Sequence, residues 1–195
     1  MLTFKNFNIA DWFSFYRIAC SPLLLYFLWI EQRELFAWFL LVSYSTDMID
    51  GFLARKFNMT SPRGSQLDSF GDQITVILGF VGLLVFEQEF IVKNYILIII
   101  AFIPYIIQML IAYTKFGKAT SFHTYLAKLS AVSQGIFILS ALFFSPNYIL
   151  FYIMIVLGFL ETIEEIILIF LIKEWASDIK GIYWFLRKKH KEINN

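Results

Sequence analysis

Asp47, Asp50, Asp68 and Asp72 are the residues whose type and spacing can do chemistry. The first two are three apart and the last two four apart, spacings that put each pair on one face of a helix. The segment joining the pairs carries Arg55, Lys56, Pro62, Arg63 and Gly64 and reads as a turn between two helices. Apolar runs flank both sides. Four carboxylates gathered at the edge of a membrane repel one another and need countercharge, for which divalent metal is the economical source. Two ions held by shared carboxylates can clamp a diphosphate, neutralise its oxygens and leave phosphorus open to in-line attack. A carboxylate at the rim can take the proton of an attacking hydroxyl. Gly51 permits close approach of a substrate or helix, Ala54 is also small, and the planar fork of Arg55 suits phosphate oxygens. The stretch therefore suits phosphoryl transfer from a diphosphate-linked donor.

These residues must be positioned by apolar helices. Of the 195 residues, 59% are hydrophobic and 16% charged, more apolar than a soluble domain of this size requires. The expectation is an all-α polytopic membrane protein, one domain over 1–195. The six expected spans are Trp12–Ile30, Leu35 into the motif, Asp68–Phe86, Tyr95–Tyr113 (with a kink at Pro104), Tyr125–Phe144 and Tyr148–Ile172. Polar turns are expected at 31–34, 87–94, 115–124 and 145–147. No cleavable leader is expected, because Asp11 and Arg17 interrupt the start of the first apolar run and no small-residue cleavage site follows it. The single cysteine, Cys20, excludes an intramolecular disulfide and a cysteine metal cluster and reads as a small buried residue. The 23 phenylalanines read as packing and lipid-facing surface.

Charge distribution sets the orientation. One face receives Lys5, Arg17, Arg55, Lys56, Arg63, Lys115, Lys118, Lys128, Lys173, Lys180 and the tail residues Arg187, Lys188, Lys189 and Lys191; the other receives Arg33 and Lys93. The positive-inside rule makes the crowded face, with both termini and the aspartates, cytoplasmic. Trp175, Tyr183 and Trp184 before the basic tail suit an interfacial helix.

The pattern D-x2-D-G-x2-A-R-x8-G-x3-D-x3-D resembles that of the CDP-alcohol phosphotransferases, and Asp47, Asp50, Gly51, Ala54, Arg55, Gly64, Asp68 and Asp72 satisfy its fixed positions. The six-span layout resembles that family over nearly the whole chain. The resemblance implies that Asp47 and Asp68 each touch both of two Mg²⁺ or Mn²⁺ ions, that Asp50 completes the first site and Asp72 the second, and that Asp72 is also the general base. It implies that Gly51, Arg55 and Ser61 hold the cytidine diphosphate of the donor, with Asn8 and Ser14 closing the nucleotide pocket, and that the protein works as a homodimer. The implied reaction moves a phosphatidyl group from CDP-diacylglycerol to an alcohol. The start N-I-A-D-W-F-S-F-Y-R is similar to that of phosphatidylglycerophosphate synthases, as found in bacterial inner membranes. Ser69 and Gln73 depart from the Pro and Lys common there, and L-D-S-F-G-D is closer to the serine-using branch. Glycerol 3-phosphate, serine and an inositol compound all stand as acceptors.

Three further groups bear on function. Asn8, Asp11, Ser14, Arg17 and Ser21 form a polar stripe that either faces the aspartates or pairs Asp11 with Arg17 at the interface. Lys115, Lys118, His123 and Lys128 read either as cations for a phosphorylated acceptor, Lys128 foremost, or as ordinary positive-inside residues. Glu161, Glu164 and Glu165 lie inside the sixth span, where carboxylates are costly. Arg17, Lys128 and Ser or Tyr hydroxyls are their candidate partners, and an acceptor-site role is the other reading. Two other reactions or classes remain: a soluble CDP-alcohol donating to diacylglycerol, and an ion- or proton-coupled transporter. The transporter reading requires acids near mid-bilayer beside broken helices, whereas the four aspartates cluster beside a basic loop. A scaffold without chemistry leaves the motif unexplained.

The six-span arrangement predicts that cysteines replacing Arg63 and Arg33, in a Cys20→Ser background, label from opposite sides of the membrane. Labelling of both from one side overturns it.

Overall fold

The computed structural model describes the backbone of residues 9–56, 62–120, 122–176 and 179–193. The side chains of 1–11, 13, 14, 47, 48, 50–69, 121, 177, 178 and 188–195 lie outside the described residues. Among the described residues, seven helices follow in order: α1 Ile9–Trp29, α2 Arg33–Lys56, α3 Pro62–Phe86, α4 Gln88–Phe116, α5 Tyr125–Phe143, α6 Tyr148–Leu171 and α7 Ile182–Ile193. No strand occurs among the described residues. Two helices, α4 and α5, are long and apolar enough to cross a membrane, and Phe15–Trp29 and Phe70–Phe86 are shorter apolar stretches. On α4, Ile99, Ile103, Ile106 and Leu110 are each about half exposed. An apolar helix that leaves so much hydrocarbon uncovered is solvated by lipid.

The helices extend past the apolar spans at several ends. Pro62, Arg63 and Gly64, expected in a turn, open α3, and Arg55 and Lys56 close α2. A proline is suited to the first helical position because the N–H it lacks would have no partner there. The polar turn expected over 87–94 shrinks to Glu87, since α4 begins at Gln88. Hydropathy locates the apolar part of a helix, and polar residues continue it into the headgroup region.

The chain forms two compact units, Met1–Phe90 with Ile138–Pro146, and Ile91–Phe137 with Asn147–Asn195. In the first, α1 packs along both α2 and α3. Leu24, Phe36, Leu40, Leu83 and Ile138 are among its buried side chains, and the rings of Phe27 and Phe39 lie 5.1 Å apart. Pro22 inside α1 deprives the carbonyl of Ile18 of its helical donor, and the hydroxyl of Ser21 donates to that same oxygen at 2.8 Å. Ser21 of the polar stripe thus serves its own helix. Arg33 closes the opposite end of the unit. Its Nε donates to Leu142 O at 2.8 Å and its Nη2 to Ala141 O at 2.6 Å, two of the carbonyls left open at the end of α5, and Nη2 also pairs with Glu87.

In the second unit, Ala112, Phe122, Leu168, Ile169 and Ile172 form a buried cluster. The side chain of Asn147 accepts from the backbone N–H of Ile149 and Leu150 and starts α6. Lys115 Nζ donates to Ile169 O at 2.6 Å and covers the carbonyl end of the same helix. Gly117, at φ 71, ends α4 in the left-handed conformation that lacks a steric penalty only for glycine.

Gly82 tests the packing of α2 against α3. A β-carbon there would stand 2.3 Å from Cε1 of the fully buried Phe36 ring. Gly82→Ala should destabilise the protein by about 1–3 kcal/mol, as overpacking does, read as a lower unfolding midpoint in detergent. An unchanged midpoint refutes this α2–α3 contact.

Candidate active site

The four aspartates fall on two helices of the first unit, Asp47 and Asp50 on α2, Asp68 and Asp72 on α3. The backbones of Gly51 and Arg55 continue α2, and that of Ser14 lies in α1. The side chains of Asp47, Asp50, Asp68, Arg55 and Ser14 lie outside the described residues, as do Asn8 and Ser61 altogether. Asp72 is described in full, and its surroundings are informative.

Arg17 of α1 reaches across to Asp72 of α3, where its Nη1 pairs with Oδ1. The arginine side chain is 0% exposed and the aspartate side chain 43% exposed. A guanidinium without solvent needs an anion, so the pair fixes the register of α1 against α3. The carboxylate keeps a solvent-accessible side, as a group that meets a substrate must. Of the polar stripe, Arg17 is seen to meet one of the four aspartates, Asp72, while the side chain of Asp11, its other candidate partner, lies outside the described residues. The spacing of Asn8, Ser14 and Arg17 carried that signal, but the choice of Asp72 as partner depends on how α1 and α3 cross.

Hydroxyls on the approach to the motif are satisfied within their own helices. Ser43 donates to Phe39 O, Thr46 to Ser43 O and Thr75 to Gly71 O, all buried. They add no donors competing for the carboxylates. The donor set on α2 and α3 is all carboxylate oxygen, which suits a hard ion such as Mg²⁺ or Mn²⁺. Carboxylates in such number fit divalent ions by their charge.

The second unit handles its charges differently from the expectation. Lys115 covers the end of α6, and Lys118 Nζ lies 3.5 Å from the ring centroid of Trp175, so both perform structural tasks. Lys128 sits one turn into α5 with Nζ 5.9 Å from the Tyr125 ring centroid. His123 adopts a left-handed φ of 52. Glu165 accepts from Gln108 Nε2 and Thr120 Oγ1, both at 2.7 Å. Glu164 Oε1 accepts the backbone N–H of Ile182 at 3.2 Å. An amide, a hydroxyl and a backbone N–H, rather than Arg17 or Lys128, are the donors to these two acids. Hydropathy could not reveal Gln108, buried in the middle of α4, as a partner of α6.

The pair of Arg17 and Asp72 should register as a coupling. Arg17→Met and Asp72→Asn, separately and together, should be non-additive in unfolding free energy by roughly 0.5–3 kcal/mol. Additive effects mean that the pair contributes nothing to stability.

A sequence model of the CDP-alcohol phosphatidyltransferase family matches residues 7–163. Among curated proteins, the chain is 31% identical over 83 residues to a CDP-diacylglycerol–glycerol-3-phosphate 3-phosphatidyltransferase of Aquifex aeolicus, a match covering 42% of this chain and 46% of that one. The protein of the same name from Rickettsia bellii is 31% identical over 72 residues, 35% of this chain and 40% of its own. A cardiolipin synthase (CMP-forming)/mitochondrial hydrolase fusion protein of Schizosaccharomyces pombe is 33% identical over 67 residues, 34% of this chain and 11% of its own. The chain thus spans less than half the length of these curated relatives. No solved structure matches. Because the family match takes in α1, both aspartate pairs and the helices up to α6, the chain belongs to the CDP-alcohol phosphatidyltransferase family.

Proposed function

We propose that this membrane protein transfers a phosphatidyl group from CDP-diacylglycerol to an alcohol and releases CMP. The observation that carries the proposal is the aspartate pattern on α2 and α3, with the carboxylate of Asp72 held by Arg17 yet open to solvent. Relatives named for glycerol 3-phosphate favour that acceptor. Ser69 and Gln73, unlike the residues common in those enzymes, keep serine as the second reading; an inositol compound is the third. A soluble CDP-alcohol with diacylglycerol as acceptor is the same chemistry with the lipid exchanged.

In this reading Asp47, Asp50, Asp68 and Asp72 would hold two Mg²⁺ or Mn²⁺ ions, with Asp47 and Asp68 contributing to both sites. Bound there, the ions supply positive charge to the donor's diphosphate. Gly51, Arg55 and Ser61 seat the cytidine diphosphate, with Asn8 and Ser14 at the edge of its pocket. Asp72 accepts the proton of the acceptor hydroxyl. The alcohol oxygen forms the new bond to the lipid-bearing phosphorus, and the bond from that phosphorus to CMP breaks. Arg17 orients Asp72 before substrate arrives. Lys128 attracts the phosphate of a phosphorylated acceptor. The whole chain acts as one family domain in a homodimer, with six spans and both termini and the site on the cytoplasmic side of a bacterial inner membrane. The excess of Lys and Arg on one set of loops supports that orientation.

Purified protein given CDP-diacylglycerol, Mn²⁺ or Mg²⁺ and separate alcohols should release CMP with glycerol 3-phosphate. CMP release with serine or an inositol compound in its place would reassign the acceptor, and turnover that survives a chelator would remove the metals.

Asp72→Asn keeps size and one metal-binding oxygen but removes the base. Its kcat should fall by roughly 10²–10⁴-fold with donor affinity changed much less. Near-normal turnover rules Asp72 out as the base. Loss of donor binding together with metal makes it a ligand first.

A further inference from the structure

We propose that the exposed side of α7 is a docking surface for anionic phospholipid headgroups. The inference rests on membrane residence and is independent of the transfer reaction. α7 is held at its start by two contacts. The N–H of Ile182 donates to Glu164 Oε1, and Ile182 and Phe185 pack on the cluster of Ala112, Phe122, Leu168, Ile169 and Ile172. Gly181 just before it has φ 141, and a β-carbon there would stand 2.9 Å from Glu164 Oε1. The helix therefore leaves the end of the α6 segment in one direction. That anchoring leaves Tyr183 63% exposed, and Trp184 and Leu186 about half exposed. Arg187 is exposed as well, and the helix continues in sequence with Lys188, Lys189 and Lys191 against one acid, Glu192.

Partly exposed aromatic rings and an aliphatic side chain, followed at once by concentrated positive charge, match two layers of a membrane surface. The rings and Leu186 suit the boundary of the acyl chains, and the cations suit headgroup phosphates. The charge selects an anionic leaflet over a zwitterionic one, and the attraction falls as salt rises. Trp175, between α6 and α7, is partly exposed and carries Lys118 over its ring, which extends the same aromatic and basic character. The docked helix would also reach the start of α5. Tyr125 N donates to Lys180 O at 3.2 Å, and the rings of Tyr125 and Trp184 lie 4.9 Å apart.

The test is amide hydrogen exchange on the full chain in nanodiscs of phosphatidylcholine alone or of equal parts phosphatidylcholine and phosphatidylglycerol. Protection of the 182–193 amides should rise several-fold in the anionic discs and extend to 124–128. It should fall back in high salt and in the Arg187→Glu, Lys189→Glu double variant. Because that variant changes residues beyond the buried anchor, exchange in α1 to α3 should stay the same, which separates lost docking from misfolding. Equal protection in both lipids overturns the proposal. Protection that follows the number of protein copies per disc, rather than the lipid, overturns it in favour of a second copy of the chain as the occupant.

Discussion

A guanidinium with no exposed surface constrains everything around it. Arg17 lies in an apolar helix and is fully enclosed, so α1 can pack in its place only where an anion waits. Asp72 provides that anion from α3. The same contact that makes burial of Arg17 tolerable also directs the rim carboxylate of the aspartate group. The packing of α1 and the placement of Asp72 are therefore tied at one point. Breaking such a pair costs more than the pair contributes, since the survivor keeps its charge and loses its partner. Asp72, partly in water, can recover hydration; Arg17 cannot. The asymmetry makes the arginine the more demanding member.

The rest of the molecule follows the same rule with weaker groups. Several polar atoms on apolar helices meet donors or acceptors within the protein. Ser21 covers the carbonyl that Pro22 leaves open, Lys115 covers the end of α6, and Gln108 with Thr120 covers Glu165. Lipid offers no hydrogen bonds, so each such group must be satisfied from inside. That requirement explains why lysines near the ends of α4 and α6 are engaged with backbone or rings.

Much of this was legible in the residues. The aspartate pattern, with fixed types at fixed spacing, identified the family before any geometry. Apolar runs located the helices, and the spacing of the α1 stripe implied that Arg17 faces something polar. Three features were not legible. Helix ends moved outward, at Pro62 and Gln88, because hydropathy is blind to polar helical turns. Arg17 could be matched to Asp11, Asp72 or a glutamate of the sixth span, and only the crossing of α1 and α3 decides among them. The partners of Glu164 and Glu165 are a backbone N–H, an amide and a hydroxyl, groups too common in sequence to single out.

The clamp made by Arg33 has a consequence for the order of assembly. Its partners at Ala141 and Leu142 are made more than a hundred residues after it, at the far end of α5. While the chain emerges from the ribosome, α1, α2 and α3 can pair and Arg33 can meet Glu87, but the carbonyls it caps do not yet exist. The first compact unit is thus left ajar until α5 has been threaded, and the segment 138–146 seals it from outside its own stretch of sequence. A chain halted before that point holds the helix trio without the segment that completes its packing.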